Sequence, residues 1–279
     1  MKYQIEGLSI HAEVQGTAEP ALVFLHYWGG TSRTWRMVIA ELEGQFKTVA
    51  YDARGWGKSD KASAGYKMAD LVDEALSLVK ALGIKQYVLV GHSMGGKVAQ
   101  LAASRRPEGL LGLILVAPAQ PTPRRNPEDM REGQLHAYDN RENVLKTIGS
   151  GRLTARPPSP EVLERIVEDS MSGSREATMA YPMESILEDV SPEVASISVP
   201  TVLLAGEFDQ VDSIERHKTE VLAYLPNAEF KIIKGSGHLI PIDEPVQLAK
   251  EIASFTTRLA GIGRTSKGGA EATAIKRMQ

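Results

Sequence analysis

Residues 87–95 read Tyr87-Val-Leu-Val-Gly91-His-Ser93-Met-Gly95, an apolar run that leads into a Gly-x-Ser-x-Gly motif. The run is short and ends at a glycine, which predicts a buried strand over residues 87–90. The Ala-rich residues 98–104 predict a helix soon after the motif. A sharp turn from strand to helix projects the serine hydroxyl above the sheet, beside N–H groups of the helix N-terminus. Ser93 is therefore the candidate nucleophile.

The rest of the chain continues this alternation of strands and helices. Helical patterns are clearest over residues 68–82 and about 245–259, and residues 3–14 predict short alternating strands. Such alternation predicts βαβ units and the α/β class, with a mostly parallel central sheet flanked by helices. The other predicted strands cover residues 21–25, 48–51, 111–116, 201–205 and 230–233.

The alternation stops at Pro118 and resumes near residue 199. The chain between is polar and rich in Pro, Met and charge, with helical patterns but no clear strand. We expect this segment to be a helical cap inserted before the strand at residues 201–205. The predicted organisation is an α/β core of residues 1–120 and 199–260, a cap of residues 121–198 and a flexible tail of residues 261–279.

Composition narrows the classes of function. The chain is 42% hydrophobic and 24% charged, with a net charge of −3 and no cysteine. The absence of cysteine excludes disulfides, thiolate metal sites and a cysteine nucleophile. The charge gives no reason to expect nucleic acid or a membrane as a partner. No secretory signal and no apolar run of ~18–20 residues is visible, so a cytoplasmic location is the default expectation.

A serine hydroxyl is a weak nucleophile and needs a base whose pKa is near neutrality, which points to histidine. His238 lies in a small-residue loop, residues 235–238, between the strand at residues 230–233 and the last helix. It thus follows the carboxyl end of a strand, where open α/β sheets carry their sites. His136 and His217 lie in charged segments that we expect on the surface. His238 is the candidate base.

The imidazole in turn needs an acceptor that fixes its tautomer and stabilises its protonated form. Asp209 follows the predicted strand at residues 201–205, again at a carboxyl end. Glu207 and Asp212 lie in the same loop and are the alternatives. We expect Asp209 to orient the base, which gives the chain order Ser, Asp, His.

With these residues in place, the sequence resembles the α/β-hydrolase fold family over nearly its whole length, to about residue 260. The branch it looks closest to contains serine esterases, enol-lactonases and non-haem haloperoxidases. Residues 52–59, Asp-Ala-Arg-Gly-Trp-Gly-Lys-Ser, match the family's Asp-x-Arg-Gly-x-Gly-x-Ser loop. Residues 235–238 and Glu244-Pro245 match its histidine region. The resemblance implies Ser93, Asp209 and His238 as a catalytic triad.

The resemblance also implies backbone donors for an oxyanion. The family's first strand is followed by His-Gly-x, where x donates its backbone N–H, and here residues 26–30 read His-Tyr-Trp-Gly-Gly. Residue-by-residue matching makes Trp28 one donor and Met94, after the nucleophile, the other. Tyr27 stands where the family usually has glycine. We expect the two glycines that follow to supply the backbone freedom that this position lacks.

The predicted cap carries methionine and aromatic side chains that suit irregular apolar shapes. We therefore expect a small, apolar ester or lactone as the substrate. Arginines of this segment could meet a substrate carboxylate, but solvated charge is the favoured interpretation; they are Arg124, Arg125, Arg152 and Arg156. The predicted pocket residues are His26, Tyr27, Tyr138, Met179, Met183 and Leu239.

Together these features predict serine-dependent hydrolysis of small carboxylic esters or lactones through an acyl-enzyme, without a cofactor or a metal. Hydrolysis of C–C bonds in ring-cleavage products, and cofactor-free haloperoxidase or perhydrolase chemistry, are alternatives on the same architecture. A ligand-binding receptor on this fold is the alternative from another class, because fold alone does not establish function.

Overall fold

The structure is a computed structural model, and it describes residues 1–259. The predicted flexible tail, residues 261–279, lies outside the described residues. Eight strands form one sheet. They are β1 (Lys2–Ile5), β2 (Leu8–Gln15), β3 (Ala21–Leu25), β4 (Thr48–Tyr51), β5 (Tyr87–His92), β6 (Leu110–Val116), β7 (Thr201–Gly206) and β8 (Glu229–Ile233).

The sheet is mostly parallel, as the alternation of strands and helices predicts. Its strand order is β1-β2-β4-β3-β5-β6-β7-β8. The pairs β1–β2 and β2–β4 are antiparallel, and the five remaining neighbouring pairs are parallel. The carboxyl ends of β3, β5, β7 and β8 therefore meet at one edge of the sheet, which is where an α/β sheet carries a site.

Helices cover the sheet and fill the middle of the chain. They are α1 (Arg36–Glu41), α2 (Met68–Ala81), α3 (Met94–Ser104), α4 (Glu128–Leu135), α5 (Arg141–Gly149), α6 (Pro160–Met171), α7 (Arg175–Met183), α8 (Ser191–Val194), α9 (Ile214–Arg216), α10 (Ile240–Asp243) and α11 (residues 245–259). A π-helical turn over His217–Val221 follows α9 directly.

The central strands are buried on both faces. Along β5, Leu89 packs with α2 and α3 on one face, whereas Val88 and Val90 pack with α1 and α11 on the other. Successive side chains of a strand point to opposite faces, so each strand of a sheet covered on both sides needs an unbroken apolar run. This requirement explains why these runs were the clearest signal in the sequence.

One boundary differs from the sequence prediction. Helix α3 begins at Met94, four residues before the Ala-rich stretch, and its first turn includes Gly95 and Gly96. Glycine has a low helix propensity and so hides this first turn from sequence analysis. The structure requires it here, since a Cβ on Gly95 would lie 2.5 Å from the Leu25 carbonyl oxygen.

The segment between β6 and β7, residues 121–198, contains α4 to α8 and no strand among its described residues. A separate apolar cluster joins α5 and α6 to Tyr27 after β3 and to Leu239 after β8. The segment thus contacts the loops at the carboxyl edge of the sheet. Whether it is a domain with the boundaries given above stays a prediction. None of the described helices is long and apolar enough to cross a membrane.

Candidate active site

Ser93 occupies the turn between β5 and α3 with a strained backbone. Its φ and ψ are +52° and −114°, in a region that residues other than glycine rarely adopt. The Ser93 carbonyl accepts from the Lys97 N–H over 3.1 Å as the first bond of α3. The two flanking glycines of the motif lie in close contact, and a Cβ on Gly91 would overlap the Gly95 carbonyl. The motif glycines therefore allow the contact that holds the serine in this turn.

The structure brings together the three polar residues that the sequence singled out. His238 Nε2 lies 2.9 Å from Ser93 Oγ. On the other side of the ring, His238 Nδ1 lies 2.8 Å from Asp209 Oδ2. All three residues are buried. A carboxylate can only accept, so Nδ1 carries the hydrogen and Nε2 is free to accept a proton from the serine.

The structure also separates Asp209 from its two rivals. Asp209 Oδ1 accepts from the N–H groups of Val211 and Asp212 over 2.7 and 2.9 Å, which fixes the carboxylate in its loop. Asp212 instead accepts from Arg124 over 2.7 Å. Glu207 accepts from the Gly235 N–H over 2.9 Å. Of the three acids in the loop, only Asp209 bonds to the His238 ring.

Burial and the neighbouring charge shift the pKa of His238 in opposite directions, and the same holds for Asp209. Burial lowers the pKa of His238, but the charge and hydrogen bond of Asp209 outweigh it and hold that pKa above its ordinary value. For Asp209, burial raises the pKa, while His238 and the backbone N–H bonds lower it to below its ordinary value. The carboxylate is thus ionised at neutral pH and stabilises the protonated imidazole.

His92, the variable residue of the motif, contacts both the backbone and the ring of His238. Its Nε2 donates to the His238 carbonyl oxygen over 2.9 Å, and the two ring centroids are 5.3 Å apart. Burial lowers the pKa of His92 to about 3, so the ring is neutral and does not repel a protonated His238. This contact could not be detected from the sequence, because the two histidines are far apart along the chain.

His217 corrects one expectation, since it lies in the interior and not on the surface. Its side chain is fully buried, and neither ring nitrogen has a hydrogen-bond partner among the described residues. Burial lowers its pKa, so the ring is neutral. The prediction was wrong because His217 lies between charged residues in the sequence, whereas its own side chain points into the interior from the turn after α9. His136 is exposed as expected and bonds to Asp139 over 2.6 Å.

Trp28 and Met94, the predicted oxyanion donors, follow β3 and β5 at the same edge of the sheet. Neither backbone N–H donates to an acceptor among the described residues. The Trp28 side chain has a separate anchor, because its Nε1 donates to the Thr178 carbonyl over 3.1 Å. The Tyr138 hydroxyl donates to the Trp28 carbonyl over 2.9 Å. The loop is therefore tied to the segment 121–198 on two sides.

Tyr27 is accommodated by the glycines that follow it. Its ring is buried and packs 5.2 Å from the His92 ring, centroid to centroid. A Cβ on Gly30 would lie 2.6 Å from Tyr27 Cε1, so only glycine leaves room for the ring. Gly29 has a φ of +96°, a conformation that side chains disfavour. Tyr27 itself has a negative φ, and of the two glycines only Gly29 takes a positive one, while Gly30 supplies space for the ring.

A cavity of about 420 Å³ opens above Ser93 and His238. Its wall includes Tyr27 and Tyr138, two of the predicted pocket residues, together with Trp28. It lies between the carboxyl edge of the sheet and the segment 121–198, so a molecule in it would contact the serine hydroxyl. Among residues 1–259, no group of three or more His, Asp or Glu side chains is arranged to hold a metal ion.

The remaining pocket predictions are corrected, because His26, Leu239, Met179 and Met183 do not line the cavity. The His26 ring is used structurally, since Nε2 accepts from the Ala53 N–H over 3.0 Å and Nδ1 donates to the Tyr27 carbonyl over 2.7 Å. Leu239 is fully buried in the apolar cluster with α5 and α6.

The two methionines lie on the wrong side of their helix. On α7 it is Tyr181 that lines the cavity. Met179 and Met183 are two positions away from it in either direction, which turns a side chain by about 200° around the helix axis. Met183 is accordingly exposed to solvent. The sequence indicated helical structure in this segment but not which face of α7 meets the cavity.

Comparison with known proteins identifies the family of the chain. A family model described as alpha/beta hydrolase fold matches residues 20–245. A 3-oxoadipate enol-lactonase from Acinetobacter baylyi is 26% identical over 238 residues, which cover 81% of this chain and 84% of that protein. A non-heme chloroperoxidase from Kitasatospora aureofaciens is 25% identical over 264 residues, covering 86% of this chain and 93% of that protein.

Solved structures show the same fold. An esterase from Exiguobacterium antarcticum superposes with a TM-score of 0.83 at 22% identity, over 92% of this chain and 98% of its own. The enol-lactonase from Burkholderia xenovorans gives a TM-score of 0.80 at 20% identity, over 92% of this chain and 100% of its own. At these identities the likeness establishes the architecture alone. The family model, however, covers well over half of the chain, so the protein belongs to the α/β-hydrolase fold family and is a hydrolase of that fold.

Proposed function

We propose that the protein hydrolyses small carboxylic esters or lactones through an acyl-enzyme formed on Ser93. The observation that carries the proposal is the buried hydrogen-bond chain in which His238 bridges Ser93 Oγ, at 2.9 Å, and Asp209, at 2.8 Å. These three hydrogen-bonded residues supply a nucleophile, a base and a group that orients the base. They lie beside a cavity that can admit a small molecule. A relative named as an enol-lactonase supports the same chemistry.

In the first half of the reaction, Ser93 Oγ attacks the carbonyl carbon while its proton moves to His238 Nε2. The carbonyl oxygen takes the displaced electron pair and becomes an oxyanion. The backbone N–H groups of Trp28 and Met94 donate to it, and one such donor contributes roughly 3 kcal/mol of transition-state stabilisation. His238 then gives its proton to the leaving alcohol oxygen as the C–O bond breaks.

In the second half, water takes the place of the alcohol. His238 Nε2 accepts a proton from the water as its oxygen attacks the acyl carbon, and a second oxyanion forms. Collapse of this intermediate releases the carboxylic acid and returns the proton to Ser93 Oγ. Asp209 accepts from His238 Nδ1 throughout and stabilises the imidazolium at each step.

A fluorophosphonate probe tests the proposal directly. It should label the native protein at one site, and mass spectrometry of the tryptic digest should locate the adduct on Ser93. The same protein should release 4-nitrophenol from short-chain 4-nitrophenyl esters. An adduct on any other residue would contradict the mechanism. Labelling of Ser93 without turnover of any ester would contradict the ester assignment and favour a hydrolase of C–C bonds.

The pH dependence of kcat/KM should follow the protonation of His238. Its pKa lies above the ordinary value of 6.5 because the Asp209 charge and hydrogen bond outweigh the effect of burial. Protonated His238 cannot accept the Ser93 proton, so activity is low in acid. We expect log kcat/KM to rise with pH through that raised pKa and then to level off. An activity that falls as pH rises from about 6 to about 8 would contradict His238 as the base.

A further inference from the structure

The cavity above Ser93 has an excess of positive charge, although the whole chain has a net charge of −3. Arg124, Lys146 and Arg152 line it, and within the described chain Asp212 is the only carboxylate in its wall. Arg124 is neutralised by Asp212, because its Nη1 donates to Asp212 Oδ1 over 2.7 Å. Once Arg124 and Asp212 are counted as a pair, Lys146 and Arg152 account for the remaining positive charge of these four residues.

Lys146 faces the cavity because helix α5 is held in one orientation by packing. Val144 and Ile148 of α5 are buried in the apolar cluster that contains Tyr27 and Leu239. The polar side of the helix is thereby turned toward the cavity, at the spacing of one helical face. The residues of α5, and the one directly after it, that line the cavity are Asn143, Lys146, Thr147 and Ser150.

Arg152 is fixed beside the catalytic loops. Its Nη2 donates to the Gln210 carbonyl over 3.3 Å, next to Asp209 in the chain. The following residue, Leu153, accepts through its carbonyl from the Leu239 N–H over 2.7 Å, next to His238. The chain after α5 is therefore attached to both loops of the triad, and the Arg152 side chain lies at the cavity wall.

Neither cation has an ion-pair partner in the part of the chain that the structure describes. By contrast, Arg156 pairs with Glu244 over 2.9 Å and does not line the cavity. Lys146 is exposed to solvent and Arg152 is half-buried. A cation at the wall of a cavity attracts an anion through its charge, and a carboxylate pairs well with lysine and arginine donors. One part of the wall suits apolar groups, since it includes Trp28, Tyr138 and Tyr181.

We propose that Lys146 and Arg152 form a subsite for a carboxylate carried by the substrate. The substrate is then an ester or lactone with one negative charge, whose apolar part packs against the aromatic side of the cavity. This inference rests on the proposed function and replaces the apolar substrate expected from the sequence. The sequence favours solvated charge for Arg152 and does not single out Lys146.

A matched pair of esters tests the subsite. The mono-4-nitrophenyl ester of pimelic acid carries a free carboxylate, and its methyl ester has the same chain without the charge. We expect the native protein to show a kcat/KM about tenfold higher for the anion. Lys146→Gln and Arg152→Gln should each lower this ratio, mainly by raising KM for the anion. Lys80 is an exposed lysine on α2, and Lys80→Gln removes the same charge. This control variant should leave the ratio unchanged.

Salt gives a second readout of the same subsite. Raising the ionic strength from about 0.05 M to about 0.5 M should weaken the preference for the anion, because screening shortens the range of the attraction. A native ratio of one or less would overturn the subsite. So would a preference that survives in the Lys146→Gln/Arg152→Gln double variant.

Binding to the Ser93→Ala variant separates this inference from the proposed function. If neither ester is hydrolysed by the native protein, the proposed function fails. Calorimetric titration of Ser93→Ala with the two esters then still decides the subsite. Tighter binding of the anion that is lost on adding Lys146→Gln supports it, and equal binding of the two esters overturns it.

Discussion

Replacing Ser93 by alanine should lower kcat for 4-nitrophenyl esters by about a millionfold, to the level that binding and the oxyanion donors alone can support. The alanine removes the only atom that can form the acyl-enzyme, and His238 then has no hydroxyl to deprotonate. The loss should appear in kcat, with KM changed far less. Steady-state assays of the two proteins at equal concentration, with the release of 4-nitrophenol as the signal, measure it.

A control on the same helix guards against a general effect of losing a hydroxyl. Ser104 lies at the other end of α3, and its Oγ donates within the helix to the Leu101 carbonyl over 2.8 Å. Ser104→Ala should keep the native kcat and the native fluorophosphonate label. If Ser93→Ala retained most of the activity while its thermal melting curve matched that of the native protein, the acyl-enzyme mechanism would be wrong.

Asp209→Asn should lower kcat by about 10⁴-fold. The shape of the side chain is kept, but its amide NH₂ can donate to His238 Nδ1, which favours the tautomer with the hydrogen on Nε2. That tautomer cannot accept the Ser93 proton. The charge that holds the pKa of His238 above its ordinary value is also lost, so the residual activity should level off at a lower pH than in the native protein.

Asp212→Asn is the matched comparison, because it makes the same change in the same loop. Asp212 bonds to Arg124 and not to the His238 ring, so its replacement should cost far less in kcat. The Asp212 charge also raises the pKa of His238, but less than the charge and hydrogen bond of Asp209 do, so the pH profile should shift less than in Asp209→Asn. The paired pH–rate curves of the two variants measure this difference. A collapse in Asp212→Asn with a mild effect in Asp209→Asn would move the orienting role to Asp212.

Much of the fold could be predicted from local pattern alone. The strands buried on both faces of the sheet need unbroken apolar runs, and those runs are visible without any partner. The motif around Ser93 was equally visible, since a strand, a sharp glycine-flanked turn and a helix are adjacent in the chain. His238 and Asp209 could be ranked because each follows a strand, and parallel strands bring their carboxyl ends to one edge.

The residues that the sequence misjudged depend on contacts between distant segments. The burial of His217 is set by the segments that pack around the turn after α9, and local charge gave the opposite impression. The support that His92 gives to the His238 carbonyl joins positions 146 residues apart. The pocket residues on α7 were misassigned because the sequence showed a helix without showing which face the cavity would meet.

The sequence by itself therefore determined the α/β alternation, the serine in its turn, and a short list of candidates for its base and acid. The sequence favoured Asp209 by its position alone, and only the tertiary structure shows what Asp209, Asp212 and Glu207 each bond to, since all three follow the same strand. The tertiary structure also decided the character of the cavity, in which Arg124 is paired while Lys146 and Arg152 have no ion-pair partner among residues 1–259. The physical reason is common to these cases. Residue type and spacing fix the local backbone, whereas burial, pairing and charge depend on groups that only folding brings together.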